Sequence, residues 1–298
     1  MDQFNLSYII ATRNRLSFLK ITLENLLRSL HADEEIVVVD GDSSDGSKEY
    51  LMELFEKNKI HQYLSEPDRN QANAWNKAML MARGKILKKI MDDDVFCYYA
   101  IRRCKQYMLD HPEADALISN DLSSALNDHG KIDRHSRYPQ FEKWSKGIVP
   151  SFTFGDVHML IRKSSLAYLG LYNVSFTMMD WEYALRISYL NANIVFYTGY
   201  NALNVFHSQT VSSLKDQKQI EKQGRRAAAF YEYKGDQAEI SLWSRIKIFV
   251  GKHLKKKNSQ TIGPELIPDA ALIYEHYYQR LNEINDSEKF TFIRKEKA

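Results

Sequence analysis

The first hundred residues alternate between two kinds of hydrophobic pattern, and this alternation restricts the fold more than any other feature. Short apolar runs such as Ile36–Val39, which is β-branched throughout, are typical of strands buried on both faces of a parallel sheet. Segments between them carry leucines at helical spacing, as in 16–30. We predict strands at 6–11, 35–40, 60–65 and 84–91, and helices at 16–30, 47–58 and 70–83. Repeats of this kind build a parallel sheet covered by helices.

The second half of the chain is less regular. We predict strands at 157–161 and 194–200 and a helix at 180–190, and we expect the polar segment 121–144 to be a loop or an irregular hairpin. Helical patterns dominate after about residue 211. The predicted fold class is therefore α/β, with a mostly parallel, Rossmann-like sheet in residues 1–215 and a helical C-terminal extension in 216–298.

Composition excludes several classes of protein. Among 298 residues the 41 Lys and Arg exceed the 38 Asp and Glu by only three, which does not indicate a nucleic-acid-binding protein. Two cysteines, Cys97 and Cys104, cannot supply a disulfide framework or a thiolate zinc site. The N-terminus lacks a signal-peptide pattern, and no apolar run approaches the roughly 20 residues needed to span a bilayer. We expect a cytoplasmic protein.

A small polar cluster follows each of the four predicted strands in the first half. In a parallel sheet the carboxyl ends of the strands lie along one edge, where open α/β sheets bind their ligands. One such cluster alone is usually a turn or a helix cap, but four in register predict a binding site. The clusters are Thr12-Arg13-Asn14, Asp40-Gly41-Asp42, Glu66-Pro67-Asp68 and the acidic triplet Asp92–Asp94.

The acidic triplet has the most restrictive chemistry of these clusters. Carboxylates held close together raise one another's pKa unless a cation lies among them. Hard divalent ions such as Mg²⁺ and Mn²⁺ bind oxygen ligands and bridge to phosphate oxygens. The triplet therefore predicts either a metal site or a solvated acidic turn that precedes the next helix. Apolar neighbours on both sides, Ile90-Met91 and Val95-Phe96, favour burial and thus the metal.

Motifs for other enzyme classes are absent from the sequence. It contains neither a GxxxxGK[ST] loop nor a GxGxxG turn after the first strand, which argues against P-loop and dinucleotide enzymes. It also contains no GxSxG or HExxH motif. A diphosphate bound at this edge would therefore need a metal ion to neutralise it. The carboxylate of Asp40 could accept hydrogen bonds from a base, while Ser44 or Asp45 caps the following helix.

Together these segments resemble the nucleotide-sugar glycosyltransferases of family 2, which have the GT-A fold. The resemblance covers roughly residues 5–215 and follows the family's order of motifs. The matching segments are 8–15, 36–46 (IVVVDGDSSDG), 65–77 (SEPDRNQANAWNK), 90–94 (IMDDD), 155–173 and 179–186, followed by His207.

The resemblance implies roles for individual residues. Asp180 would be the catalytic base; because Met179 stands where the family has a second acid, Glu182 is the alternative carboxylate. A Mn²⁺ or Mg²⁺ ion would be held by Asp94, Asp92 and His207. The nucleotide-sugar donor would contact Thr12, Arg13, Asp40, Asp68, Asn76, Lys77, Asp92 and Asp93.

The implied reaction is inverting transfer of a sugar from a nucleotide-sugar donor, with a UDP-sugar as the first expectation, to a glycan or lipid-linked acceptor. Residues 1–96 would form the nucleotide-binding half and 97–215 the acceptor-binding half, and bacterial surface polysaccharide synthesis is the usual setting. Two alternatives stay open. A sugar-nucleotidyltransferase would need a glycine-rich loop after the first strand, and a non-catalytic carbohydrate- or nucleotide-binding module would bind the donor without turnover.

Residues 241–258 contain six basic and no acidic side chains, with apolar residues near one helical face. A basic amphipathic helix can lie on an anionic membrane surface, which would put the protein at the inner face of the cytoplasmic membrane. A basic face exposed to solvent explains the pattern equally well.

Overall fold

The computed structural model describes residues 4–207, 217–235 and 270–295. Its strands are β1 (Leu6–Thr12), β2 (Glu34–Asp40), β3 (Gln62–Ser65), β4 (Ile86–Ile90), β5 (Val95–Phe96), β6 (Ala116–Ser119), β7 (Asp121–Ala125), β8 (Asp128–His135), β9 (Met159–Arg162), β10 (Ile194–Tyr197), β11 (Ala202–Phe206) and β12 (Phe292–Arg294). Its helices are α1 (Leu16–Ser29), α2 (Ser47–Glu56), α3 (Gln71–Met81), α4 (Tyr98–Asp110), α5 (Tyr138–Ser145), α6 (Leu166–Leu169), α7 (Met179–Tyr189), α8 (Gln217–Phe230) and α9 (Ala270–Ser287). A 3₁₀ turn, Asp156–His158, precedes β9.

The main sheet confirms the predicted α/β fold class. Its eight strands run in the order β12-β10-β6-β9-β4-β1-β2-β3. The pairs β1–β2, β1–β4, β2–β3 and β6–β10 are parallel, whereas β9 and β12 run antiparallel to their neighbours. The four strands predicted in the first half are therefore adjacent, and their carboxyl ends lie along one edge.

Two hydrophobic cores cover the two faces of this sheet, because successive side chains of a strand point to opposite faces. In β2, Ile36 and Val38 pack into one core and Val37 and Val39 into the other, and all four are fully buried. This confirms the strand buried on both faces that the β-branched run predicts. The first core includes residues of α1, α4 and α9, and the second includes residues of α3, α5 and α7.

A second sheet, in the order β5-β11-β7-β8, contains the segment 121–135. The hairpin alternative for 121–144 is therefore correct, and its irregularity is a register shift between Ser123 and Ala125. Residues 138–145 form helix α5, which the polar sequence does not predict. Its position is fixed by burial of Phe141 and Trp144 in the second core, a tertiary contact that sequence periodicity does not reveal.

The C-terminal region contributes helices α8 and α9, as predicted, and also a strand that was not predicted. Strand β12 pairs with β10 through three residues, too few for an alternating pattern to be visible in the sequence. The basic segment 241–258 lies outside the described residues. Within the described ranges, no helix has both the length and the apolar character required to cross a membrane.

Gly84 lies where the chain enters β4, the strand that leads to the acidic triplet. A Cβ atom at this position would lie 2.6 Å from both the backbone nitrogen and the Oγ of Ser7. We expect Gly84→Ala to lower the free energy of unfolding by about 1–3 kcal/mol, because the backbone of β1 must move. Gly130→Ala is the matched control, since no atom lies within 4 Å of its Cβ position. Urea unfolding midpoints measure the difference, and equal midpoints for the two variants would contradict the expectation.

Candidate functional site

Thr12, Asp40 and Ser65 lie side by side at the carboxyl edge of the main sheet. Parallel register pairs Thr12 with Asp40 and Asp40 with Ser65. The fully buried Asp40 carboxylate accepts hydrogen bonds from the hydroxyls of Ser43 (2.5 Å) and Ser65 (2.7 Å) and from the backbone N–H of Ser43 (3.1 Å). These bonds fix the carboxylate at the position where the sequence predicts contact with a nucleotide base.

Asp68 and Lys77 form an ion pair beside this carboxylate edge. Lys77 Nζ lies 2.7 Å from Asp68 Oδ1 and 2.8 Å from Glu66 Oε1. Gly41 allows Asp68 to approach the β2 loop, because a Cβ there would lie 2.8 Å from Asp68 Oδ2. The exposed side chain of Arg13 borders the same glycine. Asp68, Lys77 and Arg13 are therefore brought together, and their contact with a donor stays a prediction.

Asn76 has a different environment from its predicted neighbours. Its amide nitrogen donates to the carbonyl of Tyr172 and its amide oxygen accepts from the N–H of Tyr172, both at 2.9 Å. The helix that carries it, α3, begins at Asn70, whose side chain accepts a hydrogen bond from the N–H of Asn73. Asn76 thus connects α3 to the segment before α7, and its predicted contact with the donor stays a prediction.

The side chains of the acidic triplet are buried and point to three different partners. Asp92 accepts a hydrogen bond of 2.7 Å from Thr12 Oγ1, which joins the ends of β4 and β1. Asp94 accepts one of 2.8 Å from the N–H of Val205 in β11. Asp93 contacts the Arg15 guanidinium and lies 2.9 Å from His207 Nε2. The sequence predicts the metal at Asp94, Asp92 and His207; in the structure the carboxylate next to His207 is that of Asp93.

Burial and neighbouring charges shift the pKa values of the three aspartates in different directions. Burial raises the pKa of Asp92 to about 7, and the neighbouring charge of Asp93 adds to this shift. Burial, with the charge of Asp93, also raises the pKa of Asp94 well above its ordinary value. Burial acts in the same direction on Asp93, but the hydrogen bond with His207 and the charge of Arg15 bring its pKa below the ordinary value. Carboxylate oxygens with an imidazole suit Mn²⁺ or Mg²⁺, and such an ion would offset the repulsion that Arg15 offsets only in part.

Helix α9 contacts the acidic triplet, although the two segments are far apart in the sequence. The hydroxyl of Tyr274 donates a hydrogen bond of 2.6 Å to the carbonyl of Asp93. The ring of Phe18 contacts both the His207 ring, at 4.8 Å between centroids, and the Tyr274 ring, at 5.9 Å. The sequence analysis did not identify Tyr274. Its only signal is the spacing of Tyr274, Tyr277 and Tyr278 on one helical face, which predicts a buried face without its partner.

Asp180 lies in the first turn of α7, beside a buried ion pair that the sequence analysis also missed. Lys89 Nζ lies 2.7 Å from Asp156 Oδ2, and the same oxygen accepts a 2.6 Å hydrogen bond from the Tyr172 hydroxyl. The Lys89 ammonium also lies 4.5 Å from the centre of the Trp75 ring. The sequence signal for this ion pair was a lysine inside a strand, β4, that is buried along its whole length. A buried charge requires a partner of opposite charge.

The charges of this ion pair act on Asp180 in opposite directions. Burial raises the pKa of Asp180 to about 6, the charge of Asp156 raises it further and the charge of Lys89 opposes them. The charge of Lys89 also acts on Asp94, where it opposes the rise in pKa that burial and the charge of Asp93 cause. Lys89 is thus near enough to the acidic triplet and to Asp180 for its charge to act on both.

The alternative base, Glu182, is held away from this site. It is buried, and its carboxylate bonds Arg186 at 3.1 Å and the Tyr231 hydroxyl at 2.6 Å. Met179 is buried in the second core. Asp180 and Trp181, by contrast, line a cleft of about 740 Å³ that extends towards β7 and β11. A carboxylate with a pKa of about 6 at the wall of a cleft can accept a proton from a bound hydroxyl group near neutral pH.

Residues 7–170 match the model of a known family, described as Glycosyl transferase family 2. An uncharacterized glycosyltransferase of Nostoc sp. is 29% identical over 100 residues, which is 33% of this chain and 31% of that protein. One from Rickettsia bellii is 26% identical over 128 residues, which is 42% of this chain and 18% of that protein. The chain therefore spans less than a third of the length of either relative.

Solved structures share the fold at low sequence identity. S. aureus TarS 1-349, in complex with UDP-GlcNAc, matches with a TM-score of 0.62 and 15% identity over 95% of this chain and 82% of that chain. The mannosyltransferase PcManGT from Pyrobaculum calidifontis, in complex with GDP-Man and Mn²⁺, matches with a TM-score of 0.57 and 14% identity over 94% of this chain and 84% of that chain. At these identities the likeness concerns the fold.

Proposed function

Because the chain belongs to glycosyl transferase family 2, we propose that it transfers a sugar from a nucleotide-sugar donor to a hydroxyl group of a glycan or lipid-linked acceptor, with inversion at the anomeric carbon. The observation that carries this proposal is the position of Lys89. Its charge acts on both Asp94 and Asp180, which supports placing the acidic triplet and the cleft carboxylate in one site.

Asp180 is the base in this proposal. Its carboxylate takes the proton of the acceptor hydroxyl as the acceptor oxygen bonds to the anomeric carbon of the donor. The bond between that carbon and the diphosphate oxygen breaks at the same time, on the opposite face of the sugar, so the configuration inverts. Asp156 keeps the pKa of Asp180 raised, and Lys89 keeps it low enough for the carboxylate to be ionised at pH 7.

Thr12, Asp40, Asp68 and Lys77 form the proposed nucleotide edge. Support for a nucleotide-sugar donor comes from the fold relatives, since TarS is solved with UDP-GlcNAc and PcManGT with GDP-Man. Ser43 and Ser65 hold the Asp40 carboxylate in one orientation. Because the Asp40 carboxylate is already held in one orientation, less entropy is lost when it accepts a hydrogen bond from a base N–H.

The acidic triplet would hold a divalent cation in this proposal, and PcManGT is solved with Mn²⁺. We place the ion at Asp93 and His207, since their side chains are already 2.9 Å apart. The sequence-based assignment to Asp94, Asp92 and His207 is the alternative. A bound cation would supply positive charge against the diphosphate of the leaving nucleotide. Arg15, in contact with Asp93, adds a fixed positive charge to the same place.

A panel of nucleotide sugars, incubated with the full chain and either Mn²⁺ or Mg²⁺, tests the proposed function. We expect release of free nucleotide from at least one donor, because water replaces the acceptor slowly in an open cleft. Release from none of the donors, with or without cell-envelope glycans, would contradict the proposal. Donor binding without release would favour the non-catalytic module.

Replacing the base removes proton transfer without changing the nucleotide edge. We expect Asp180→Asn to lower the rate of transfer by about 100-fold or more, in line with the loss of a general base. Affinity for the free nucleotide should stay within about twofold of the wild-type value, since Asp180 is not one of the residues of that edge. Glu182→Gln is the matched control on the same helix, and a rate for Asp180→Asn close to that of the control would exclude Asp180 as the base.

The activity should fall on the acid side of neutrality. Only ionised Asp180 can accept a proton, so kcat/KM should drop about tenfold per pH unit below its pKa of about 6. Asp156→Asn removes a negative charge that raises this pKa, and the acid limb of the profile should therefore move to lower pH. Asp110→Asn, an exposed position at the end of α4, should leave the limb in place. If the acid limb does not move in Asp156→Asn, then the limb does not report the ionisation of Asp180.

The two assignments of the metal ligands predict that different variants lose Mn²⁺ binding. If Asp93 and His207 hold the ion, Asp93→Asn should weaken Mn²⁺ binding at least about tenfold in the presence of UDP, and Asp94→Asn should weaken it less. Isothermal titration with Mn²⁺ measures both variants directly. The reverse order would support the assignment from the sequence.

A further inference from the structure

The acidic triplet is held through its backbone as well as through its side chains. The hydroxyl of Thr22, in α1, donates a hydrogen bond of 2.9 Å to the carbonyl of Asp92. The hydroxyl of Tyr274, in α9, donates one of 2.6 Å to the next carbonyl, that of Asp93. Both donor side chains are fully buried, where a hydroxyl needs a partner. Two helices that are far apart in the sequence therefore fix two consecutive peptide groups of the triplet.

The peptide group that Tyr274 holds carries the carboxylate next to His207. The carbonyl carbon and the Cβ atom of Asp93 are bonded to the same Cα, so a rotation of the backbone at Asp93 would also move its carboxylate. That carboxylate lies 2.9 Å from His207 Nε2 and contacts the Arg15 guanidinium. The hydrogen bond from Tyr274 thus stabilises the position of Asp93 relative to His207.

Tyr274 also acts on His207 by a second route, through the ring of Phe18. The Phe18 and His207 rings are stacked, with centroids 4.8 Å apart and 28° between their planes. The centroid of the Tyr274 ring lies 5.9 Å from that of Phe18. Packing against an aromatic ring restricts the rotation of the imidazole and hence the direction of Nε2. Phe18 therefore connects the α9 tyrosine to the orientation of His207.

We infer that Tyr274 is a positioning residue of the cation site, which holds the Asp93 carboxylate and the His207 imidazole in the arrangement that a divalent cation requires. The inference rests on the proposed function, which places the cation at these two side chains. The Tyr274 hydroxyl donates to a backbone carbonyl, so this residue acts through Asp93 and Phe18. It lies well beyond residue 170, where the match to the family model ends. The site thus takes one of its parts from outside the matched segment.

Anchoring of α9 alone is the competing explanation, and the same helix contains a residue with that role. The hydroxyl of Tyr277 lies 2.9 Å from Ser124 Oγ and donates a hydrogen bond of 3.2 Å to the carbonyl of Ala125, both in β7. Tyr274 and Tyr277 are both fully buried. Loss of either hydroxyl removes a buried hydrogen bond of α9, but only the partner of Tyr274 belongs to the acidic triplet. Tyr277→Phe is therefore the matched control for Tyr274→Phe.

Isothermal titration of the full chain with Mn²⁺, alone and in the presence of UDP, tests this inference. We expect Tyr274→Phe to weaken Mn²⁺ binding by about tenfold, which is the usual effect of losing a group that orients a metal ligand. Tyr277→Phe should stay within about twofold of the wild-type affinity, although urea unfolding should show a similar loss of stability in both variants. Phe18→Leu should also weaken Mn²⁺ binding, and it serves as the second variant because Phe18 is only partly buried.

Two results would overturn the inference: no Mn²⁺ binding by the wild-type chain, or equal Mn²⁺ affinities for Tyr274→Phe and Tyr277→Phe. Nucleotide release from the donor panel, measured on the same samples, separates the inference from the proposed function. Weaker Mn²⁺ binding in Tyr274→Phe, with no nucleotide release by the wild type, would reject the transfer reaction alone. Nucleotide release by the wild type, with unchanged Mn²⁺ affinity in Tyr274→Phe, would reject the role of Tyr274 alone.

Discussion

The site depends on the parallel hydrogen bonding of β1 to β2 on one side and to β4 on the other. This pairing sets Thr12 opposite Asp40 and next to Asp92, so that residues 80 positions apart share a hydrogen bond. A shift of one residue in either pairing would turn these side chains to the other face of the sheet. The two cores resist such a shift, because β1 and β2 bury apolar side chains on both faces.

A second constraint is the excess of negative charge at the centre of this edge. In the part of the chain that the structure describes, the carboxylates of Asp92, Asp93, Asp94, Asp156 and Asp180 lie near the cations of Arg15 and Lys89. Buried like charges repel strongly, which is why the pKa values of Asp92, Asp94 and Asp180 are all raised. In the proposed function, a divalent cation and an acceptor hydroxyl group would offset this negative charge.

Much of this molecule could be predicted from the sequence, because strand and helix periodicity are local. The four parallel strands and the polar clusters at their ends follow from local patterns, whereas Asp180 was predicted from the family resemblance. Contacts between distant segments could not be predicted in this way. The Lys89–Asp156 pair joins residues 67 positions apart, and which acid meets His207 depends on how the chain turns after β4. Helix α5 and strand β12 likewise owe their positions to packing, and short polar segments carry no periodic signal for it.

The hydrogen bond from Tyr274 to Asp93 spans 181 positions of the chain. Contacts between residues so far apart form late, since the entropy of closing a long loop must be spent before the contact is gained. During synthesis the first four strands emerge well before α9, so the acidic triplet after β4 emerges before the tyrosine that bonds the Asp93 carbonyl. Assembly of the candidate site is thereby coupled to synthesis of α9, and folding intermediates that lack this helix would be expected to lack the complete site.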